Sequence, residues 1–500
     1  MTHVKISERF VCGLLLLGIL VYAALVRAPY VFTDRLWSDE ALYAWYAKRL
    51  FGDPAFLLSP EIFEIHPPLF PVLLSLGHGI FPPLQACQMI VYLIGILGIY
   101  VIYRLGAKLA TPFAGLLSAL LLANSGLYLR ESVRILSDVA FAVFLTGLVW
   151  ALLEEEDDRR SWGWAVGLLG SGLILLKSYG ILFALLVPLF YGFCVKAGWQ
   201  EKARRMLIPA ACMAVSLAIV VAMNLKGHTS VVTDQGVLAG ASWKKVWPYL
   251  WYLPRLLEWK YLFFALVWGV ASLFLSGRAA AFLLGGWGLC SLAFFSLVPQ
   301  LTTRYAIVIL PCVCLLAAWG VEDALRRVFR HPSALRAAIS AVLAGIVVMM
   351  LGLTPERTAR LADENKYFRN FNEAGHRIKD QARPGTLILC SSERQIRYFS
   401  GIEYLQWGGQ IQRLPLAYAD LRNIFQGHAE GILVQLDNWS SSDASLVDPF
   451  DSSQISFFES QGFRVVATFG KMRYHADKGA GALLAPAIWI FERPARDIKE

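Results

Sequence analysis

Long apolar stretches recur through the first 353 residues of this 500-residue chain, and they decide what it can fold into. About 20 consecutive apolar residues cross a bilayer as a helix, because a helix keeps its own backbone groups hydrogen-bonded inside hydrocarbon. Such stretches lie near 10–28, 84–103, 112–128, 134–153, 162–176, 179–195, 207–224, 260–276, 280–298, 305–321 and 336–353. They describe a polytopic α-helical membrane protein with about eleven transmembrane helices. Composition agrees: only 17% of residues are charged and 57% are hydrophobic, against roughly 25% charged in soluble domains. The run at 10–28 follows Lys5 and Arg9 like a signal peptide. It is long enough to span and more spans follow, so an uncleaved first helix is expected.

The net charge of +9 does not point to nucleic acid, since no basic run carries interleaved aromatics. Short loops with Lys and Arg instead gather on one side, among them Arg104, Lys108, Arg159, Arg160, Arg204 and Arg205. By the positive-inside rule that side and the N-terminus are cytoplasmic. The opposite side then holds two long loops, 29–83 and 225–259, and everything after 354. Eight cysteines are scattered, seven of them in or beside apolar spans, with no CxxC pair and no disulfide framework. An inner membrane of a prokaryotic cell is the expected location.

Two domains are expected: a transmembrane domain over 1–353 and a small extracytoplasmic α/β domain over 354–500. In the second, helical patterns at 364–383, 393–400 and 452–461 alternate with strand patterns at 386–390, 431–436, 463–469 and 487–491. No Gly-rich phosphate loop follows any of these strands, so no nucleotide cofactor is expected.

Several polar residues fall at the outer ends of the spans. Asp39 and Glu40 follow the first span, in Leu36-Trp37-Ser38-Asp39-Glu40-Ala41, and the next segment, 41–51, reads as an interfacial amphipathic helix. Carboxylates near a bilayer ask for a job; either they are a solvated loop pair, or Asp39 caps this helix, or the pair does chemistry. Glu64 and His66 precede Pro67-Pro68-Leu69, while Arg130, Glu131, Arg134 and Asp138 straddle the mouth of spans three and four. Lys177 ends span five and Arg304-Tyr305 opens span ten. Singly, each has an ordinary explanation: Lys177 snorkels, Arg130 pairs with Glu131, Asp138 pairs with Arg134. Together, acids and bases from distant segments at one depth suit an anionic, membrane-embedded substrate. Cations neutralise a lipid phosphate as it leaves, and a carboxylate serves as general base towards an acceptor hydroxyl.

The order and sidedness of four marks resemble the GT-C class of polyprenyl-phosphate-sugar glycosyltransferases. The branch most similar holds the aminoarabinose–lipid A transferases and protein O-mannosyltransferases, and the likeness covers about 10–353. The marks are Asp39-Glu40; His66-Pro67-Pro68-Leu69 entering span two; Arg130 through Asp138; and Leu176-Lys177-Ser178-Tyr179-Gly180 with the late Arg304-Tyr305. The resemblance implies a membrane glycosyltransferase that moves a sugar from a polyprenyl-phosphate donor to a lipid, glycan or protein acceptor, with inversion. It makes Asp39 the main catalytic residue, with Glu40 in support and Asp138 as second acid. It gives Lys177, Arg304, Tyr305 and Arg130 to the donor phosphate. Some relatives bind a divalent metal beside the first outer loop; Glu64 and His66, joined by His228, are the candidate ligands here. Two other classes remain: a flippase for a lipid-linked glycan, which calls for mid-membrane charges and repeated halves, and a membrane-anchored binding protein whose working end is 354–500.

Overall fold

A computed structural model of the chain describes residues 8–33, 36–59, 62, 67–157, 162–225, 246–248, 260–274, 278–297, 303–329, 345, 355, 358, 370–382, 386–390, 393–400, 411–413, 432–437, 452–469, 472–474, 483–485 and 488–493. They divide into two compact units, Met1–Phe32 with Tyr46–Ala359, and Thr33–Trp45 with Arg360–Glu500.

The first unit is helical. Its helices are α1 (Glu8–Arg27), the later part of α2 (Ser38–Gly52), α3 (Leu69–Ser75), α4 (Pro83–Leu109), α5 (Pro112–Asn124), α6 (Gly126–Glu131) and α7 (Ser137–Asp157). There follow α8 (Gly163–Leu176), α9 (Gly180–Ala184), α10 (Leu186–Phe193), α11 (Trp199–Leu225), α12 (Lys260–Phe274), α13 (Arg278–Leu297) and α14 (Leu310–Val328). Helix occurs at each expected span except 336–353, nearly all of which lies outside the described residues. Among the described residues five helices are long and apolar enough to cross a membrane: Phe10–Tyr30, Pro83–Leu109, Ser137–Glu156, Trp199–Ala222 and Ala279–Ser296. The chain is a multi-pass membrane protein. Other spans are shorter or broken, for local reasons. The span at 112–128 stops at Ser125, whose side chain accepts from the Tyr128 amide and starts α6. The span at 179–195 breaks at Leu185, three residues before Pro188 leaves a carbonyl of the preceding turn without a donor.

Two expectations are corrected. Pro67-Pro68-Leu69 does not enter span two; Pro68 caps the separate short helix α3, and α4 begins at Pro83. The helix α2 is not amphipathic at a surface, since Ala41 through Ala47 are buried on every side. Trp45 and Tyr46 share that burial with Ala44 and Ala47, and exposure begins only at Lys48, so the stretch 41–47 cannot lie in the headgroups. The loop 225–259, with His228, lies almost wholly outside the described residues.

Packing follows side-chain size. Phe113 through Asn124 of α5 are all buried, against α1, α4 and α14. By contrast α1 and α11 expose large apolar side chains such as Leu14, Leu17, Leu207 and Val215, as lipid-facing helices do. The fully buried Arg27 pins α1: Nε donates to Ser132 Oγ at 2.8 Å, and the other two nitrogens donate to the carbonyls of Ala23 and Ala123 at 3.0 and 3.1 Å. Helices α12 and α14 meet backbone to backbone at Gly269 and Gly320, where an added Cβ would run into the carbonyls of Leu316 and Ala265. Gly320→Ala is therefore expected to destabilise by about 1–3 kcal/mol. Gly285→Ala, where a Cβ meets open space, should leave the melting temperature in detergent unchanged.

In the second unit a five-stranded sheet runs β2-β1-β3-β7-β4, from β1 (Leu387–Cys390), β2 (Ile411–Arg413), β3 (Ile432–Asp437), β4 (Arg464–Phe469) and β7 (Ile488–Arg493). β5 (Met472–Tyr474) and β6 (Leu483–Ala485) form a separate hairpin. β1 lies parallel to β2 and β3, and β7 runs antiparallel between β3 and β4. Helices α15 (Asn370–Gln381) and α16 (Glu393–Ser400) pack on each other, and α17 (Ser452–Ser460) precedes β4. The core gathers Phe371, Ala374, Ile378, Ile388, Cys390, Ile396, Leu433 and Ile490, and Trp37 packs against it. Residues 33–45, which sequence order puts in the first outer loop, thus belong with the C-terminal chain.

Candidate active site

The sequence candidates fall into two clusters, one in each unit. In the second unit, α2 starts at Ser38 and places Asp39 and Glu40 in its first turn, where the helix N-terminus favours negative charge. The two carboxylates divide their work. Glu40 is buried, and its Oε2 accepts the Trp37 amide N–H at 2.9 Å. This is the reach-back of a third-position glutamate to the capping residue. Asp39 keeps 28% of its side chain exposed and pairs through Oδ1 with Arg394 Nη1 of α16 at 2.9 Å. The capping role considered for Asp39 therefore belongs to Glu40, and Asp39 is the more accessible of the two.

In the first unit, Asp138 stands in the first turn of α7 and Lys177 closes the C-terminus of α8, each at the helix end its charge prefers. Asp138 pairs with Lys177, Nζ to Oδ1 at 2.6 Å, and both side chains are 3% exposed or less. Asp138 is thus bound to Lys177, and Lys177 is buried instead of snorkelling. The turn after Lys177 closes when the Gly180 amide donates to the Lys177 carbonyl at 2.7 Å. A Cβ at Gly180 would strike the Leu173 carbonyl, so this turn requires glycine.

Aromatic rings wall the pair. Lys177 Nζ lies 5.5 Å from the Tyr179 ring centroid and 5.9 Å from that of Tyr305. Phe294 contacts both tyrosines, at 4.1 and 5.6 Å between centroids, and Phe141 meets Tyr179 at 5.0 Å. Tyr305 and Arg304 sit in a 3-10 turn, Thr303–Val308, that packs against α6 and α7. The Arg304 guanidinium stacks on its neighbour's ring at 5.3 Å and is partly exposed. Beside them Glu131, fully buried, takes Arg130 Nε at 2.7 Å and Arg134 at 3.7 Å. Among these side chains the basic groups outnumber the carboxylates. Arg130 and Arg304 are the partly exposed ones, which suits them to reach an anion.

The structure therefore brings Asp138, Lys177, Arg304 and Tyr305 together, and Arg130 pairs with Glu131 in the helix α6 that packs against the Arg304 turn. Phe294 was missed by sequence reasoning because nothing distinguishes it from any other apolar residue in a span. Arg394 was missed because it is 355 residues from Asp39 in the chain. Glu64, His66 and His228 lie outside the described residues. Among the described residues no group of three or more His, Cys, Asp or Glu side chains stands ready to hold a metal ion, and Asp39 faces a guanidinium. The described residues thus offer a metal no ligand set.

The fold is similar to those of several solved transferases. A family model described as dolichyl-phosphate-mannose-protein mannosyltransferase matches residues 65–224. ArnT from Cupriavidus metallidurans in the apo state is similar over 97% of this chain and 98% of its own, with a TM-score of 0.64 and 14% identity. The apo oligosaccharyltransferase of Archaeoglobus fulgidus is similar over 84% of this chain and 69% of its own, at TM-score 0.57 and 14% identity. The mycobacterial arabinofuranosyltransferase AftD covers 99% of this chain with 42% of its own length, at TM-score 0.57 and 15% identity. No curated protein matches the chain in sequence.

Proposed function

We propose that the chain is an integral-membrane glycosyltransferase that moves a sugar from a polyprenyl-phosphate donor to a lipid, glycan or protein acceptor, with inversion at the anomeric carbon. The observation that carries this is the likeness along 95% of the chain to ArnT bound to undecaprenyl phosphate, at TM-score 0.61. The archaeal oligosaccharyltransferase AglB has likewise been solved with a dolichol phosphate and an inhibitory peptide.

Each residue then has a task that its setting supports. Arg304 and Arg130 take the phosphate oxygens and stabilise the charge that grows there as the glycosidic C–O bond breaks. Lys177 and Asp138, neutralised by each other, hold the tyrosine-lined wall in place. Their burial suits Lys177 and Asp138 to positioning, and leaves Arg304 and Arg130 as the groups for direct contact with the phosphate. Asp39 is the residue for the chemistry. Towards a hydroxyl acceptor it accepts the proton as the oxygen attacks the anomeric carbon and the polyprenyl phosphate departs. A phosphate acceptor is already ionised, and Asp39 then orients the reacting groups. The reaction belongs on the extracytoplasmic face of the inner membrane, with the N-terminus cytoplasmic and residues 354–500 outside. A divalent ion at Glu64 and His66, if the first outer loop holds one, would supply further charge neutralisation; Archaeoglobus oligosaccharyltransferase has been solved with Zn and sulfate.

The test uses the purified full chain. Undecaprenyl phosphate should bind saturably, and Arg304→Ala should weaken that binding about tenfold or more, the loss of one charge-assisted contact. Absence of saturable binding by the unaltered protein would sink the proposal.

A further inference from the structure

We infer that Arg394 is a positioning residue for the reaction, and that the C-terminal domain builds the catalytic turn instead of merely accompanying it. The inference rests on the proposed role of Asp39. Three contacts tie the Asp39–Glu40 turn to the C-terminal chain or fix it in place. The Trp37 ring packs against the core that contains Phe371, Ile388 and Ile490. Glu40 clamps the Trp37 amide from the first turn of α2, so the seat of the indole and the start of the helix are one rigid piece. The Arg394 guanidinium then holds Asp39 Oδ1 at 2.9 Å, with both side chains 28% exposed.

The electrostatics favour this job for Arg394. Its bond restrains a carboxylate that would otherwise sample several rotamers. The Asp39 side chain stays in reach of solvent. Arg394 itself comes from α16, a helix anchored by Ile396, which is fully buried, and by Phe399, which packs against the same core. A change in the C-terminal domain therefore reaches Asp39 without touching any donor residue.

Full-length protein carrying Arg394→Gln, Arg394→Lys or Arg464→Gln separates this from a fold effect. Arg464, mostly exposed and paired with Glu492, is the control in the same domain. Transfer is measured from the lipid-linked sugars of host membranes, binding with undecaprenyl phosphate, and mobility by hydrogen exchange over residues 36–46. Arg394→Gln should lower turnover on the order of tenfold to a hundredfold, the cost of a misplaced catalytic group, with undecaprenyl phosphate affinity unchanged. Exchange over 36–46 should rise while that of β1 stays fixed, and Arg394→Lys should recover part of the turnover. Wild-type turnover in Arg394→Gln overturns the inference. So does an equal fall in all three variants together with a lower melting temperature. Should the unaltered protein transfer nothing, the functional proposal fails, whereas unchanged exchange over 36–46 defeats the positioning role by itself.

Discussion

Asp39→Asn is expected to lower turnover about 10²- to 10⁴-fold towards a hydroxyl acceptor, the usual worth of a general base. The substitution keeps the side chain's shape and leaves an oxygen to accept from Arg394, so it removes charge and basicity while disturbing little else. Undecaprenyl phosphate binding should stay within about threefold, because the proposed phosphate ligands are other residues; a loss confined to kcat marks an interaction made in the transition state. Glu40→Gln should behave differently. Glu40 is buried in a capping bond to the Trp37 amide, and its amide analogue still offers an oxygen to that N–H. Modest loss of stability with most activity kept is expected, roughly 1 kcal/mol for a weakened cap. The assay is transfer from lipid-linked sugar in membranes normalised to folded protein. Wild-type turnover by Asp39→Asn would remove Asp39 from the chemistry, and a larger loss in Glu40→Gln would reverse the division of labour drawn here.

Breaking the Asp138–Lys177 pair is expected to have the largest effect on stability. Both groups are almost wholly buried at 2.6 Å, so removing either strips the other of its ion partner among Tyr179, Tyr305 and Phe294. Lys177→Met or Asp138→Leu should each cost about 3–5 kcal/mol. The double variant should regain most of that, because well-packed apolar residues often replace a buried ion pair without loss. Thermal unfolding in one detergent, across the four-member cycle, gives the coupling. Additive losses would mean that the two residues do not depend on each other. Transfer separates stability from function: the double variant should fold like the parent yet transfer poorly, since its tyrosine wall has lost the ammonium on which the rings rest.

Much of the fold was legible in the sequence because its signals are local. The length of an apolar run is set by bilayer thickness, and helices α4, α7, α11 and α13 stand where such runs lie. Alternating patterns likewise marked the strands that are Leu387–Cys390, Ile432–Asp437, Arg464–Phe469 and Ile488–Arg493. The short strands Ile411–Arg413, Met472–Tyr474 and Leu483–Ala485 carry too few residues for a pattern to show. Segment 41–51 misled for a physical reason: placing Leu42, Trp45, Tyr46 and Leu50 on one face says nothing of the small Ala41, Ala44 and Ala47 opposite, which let neighbours close over the other side.

The sequence by itself determined the class of protein, the approximate places of its spans, and a set of charged residues at their ends. Those follow from hydrophobicity and from the cost of charge near hydrocarbon, which act residue by residue. Which charge meets which was decided only by tertiary structure. Asp138 finds Lys177, because the end of α8 and the start of α7 are brought side by side. Asp39 finds Arg394, because residues 33–45 fold with the C-terminal chain. Partners this far apart in sequence share no spacing or periodicity, so only the packing of their elements can choose between them.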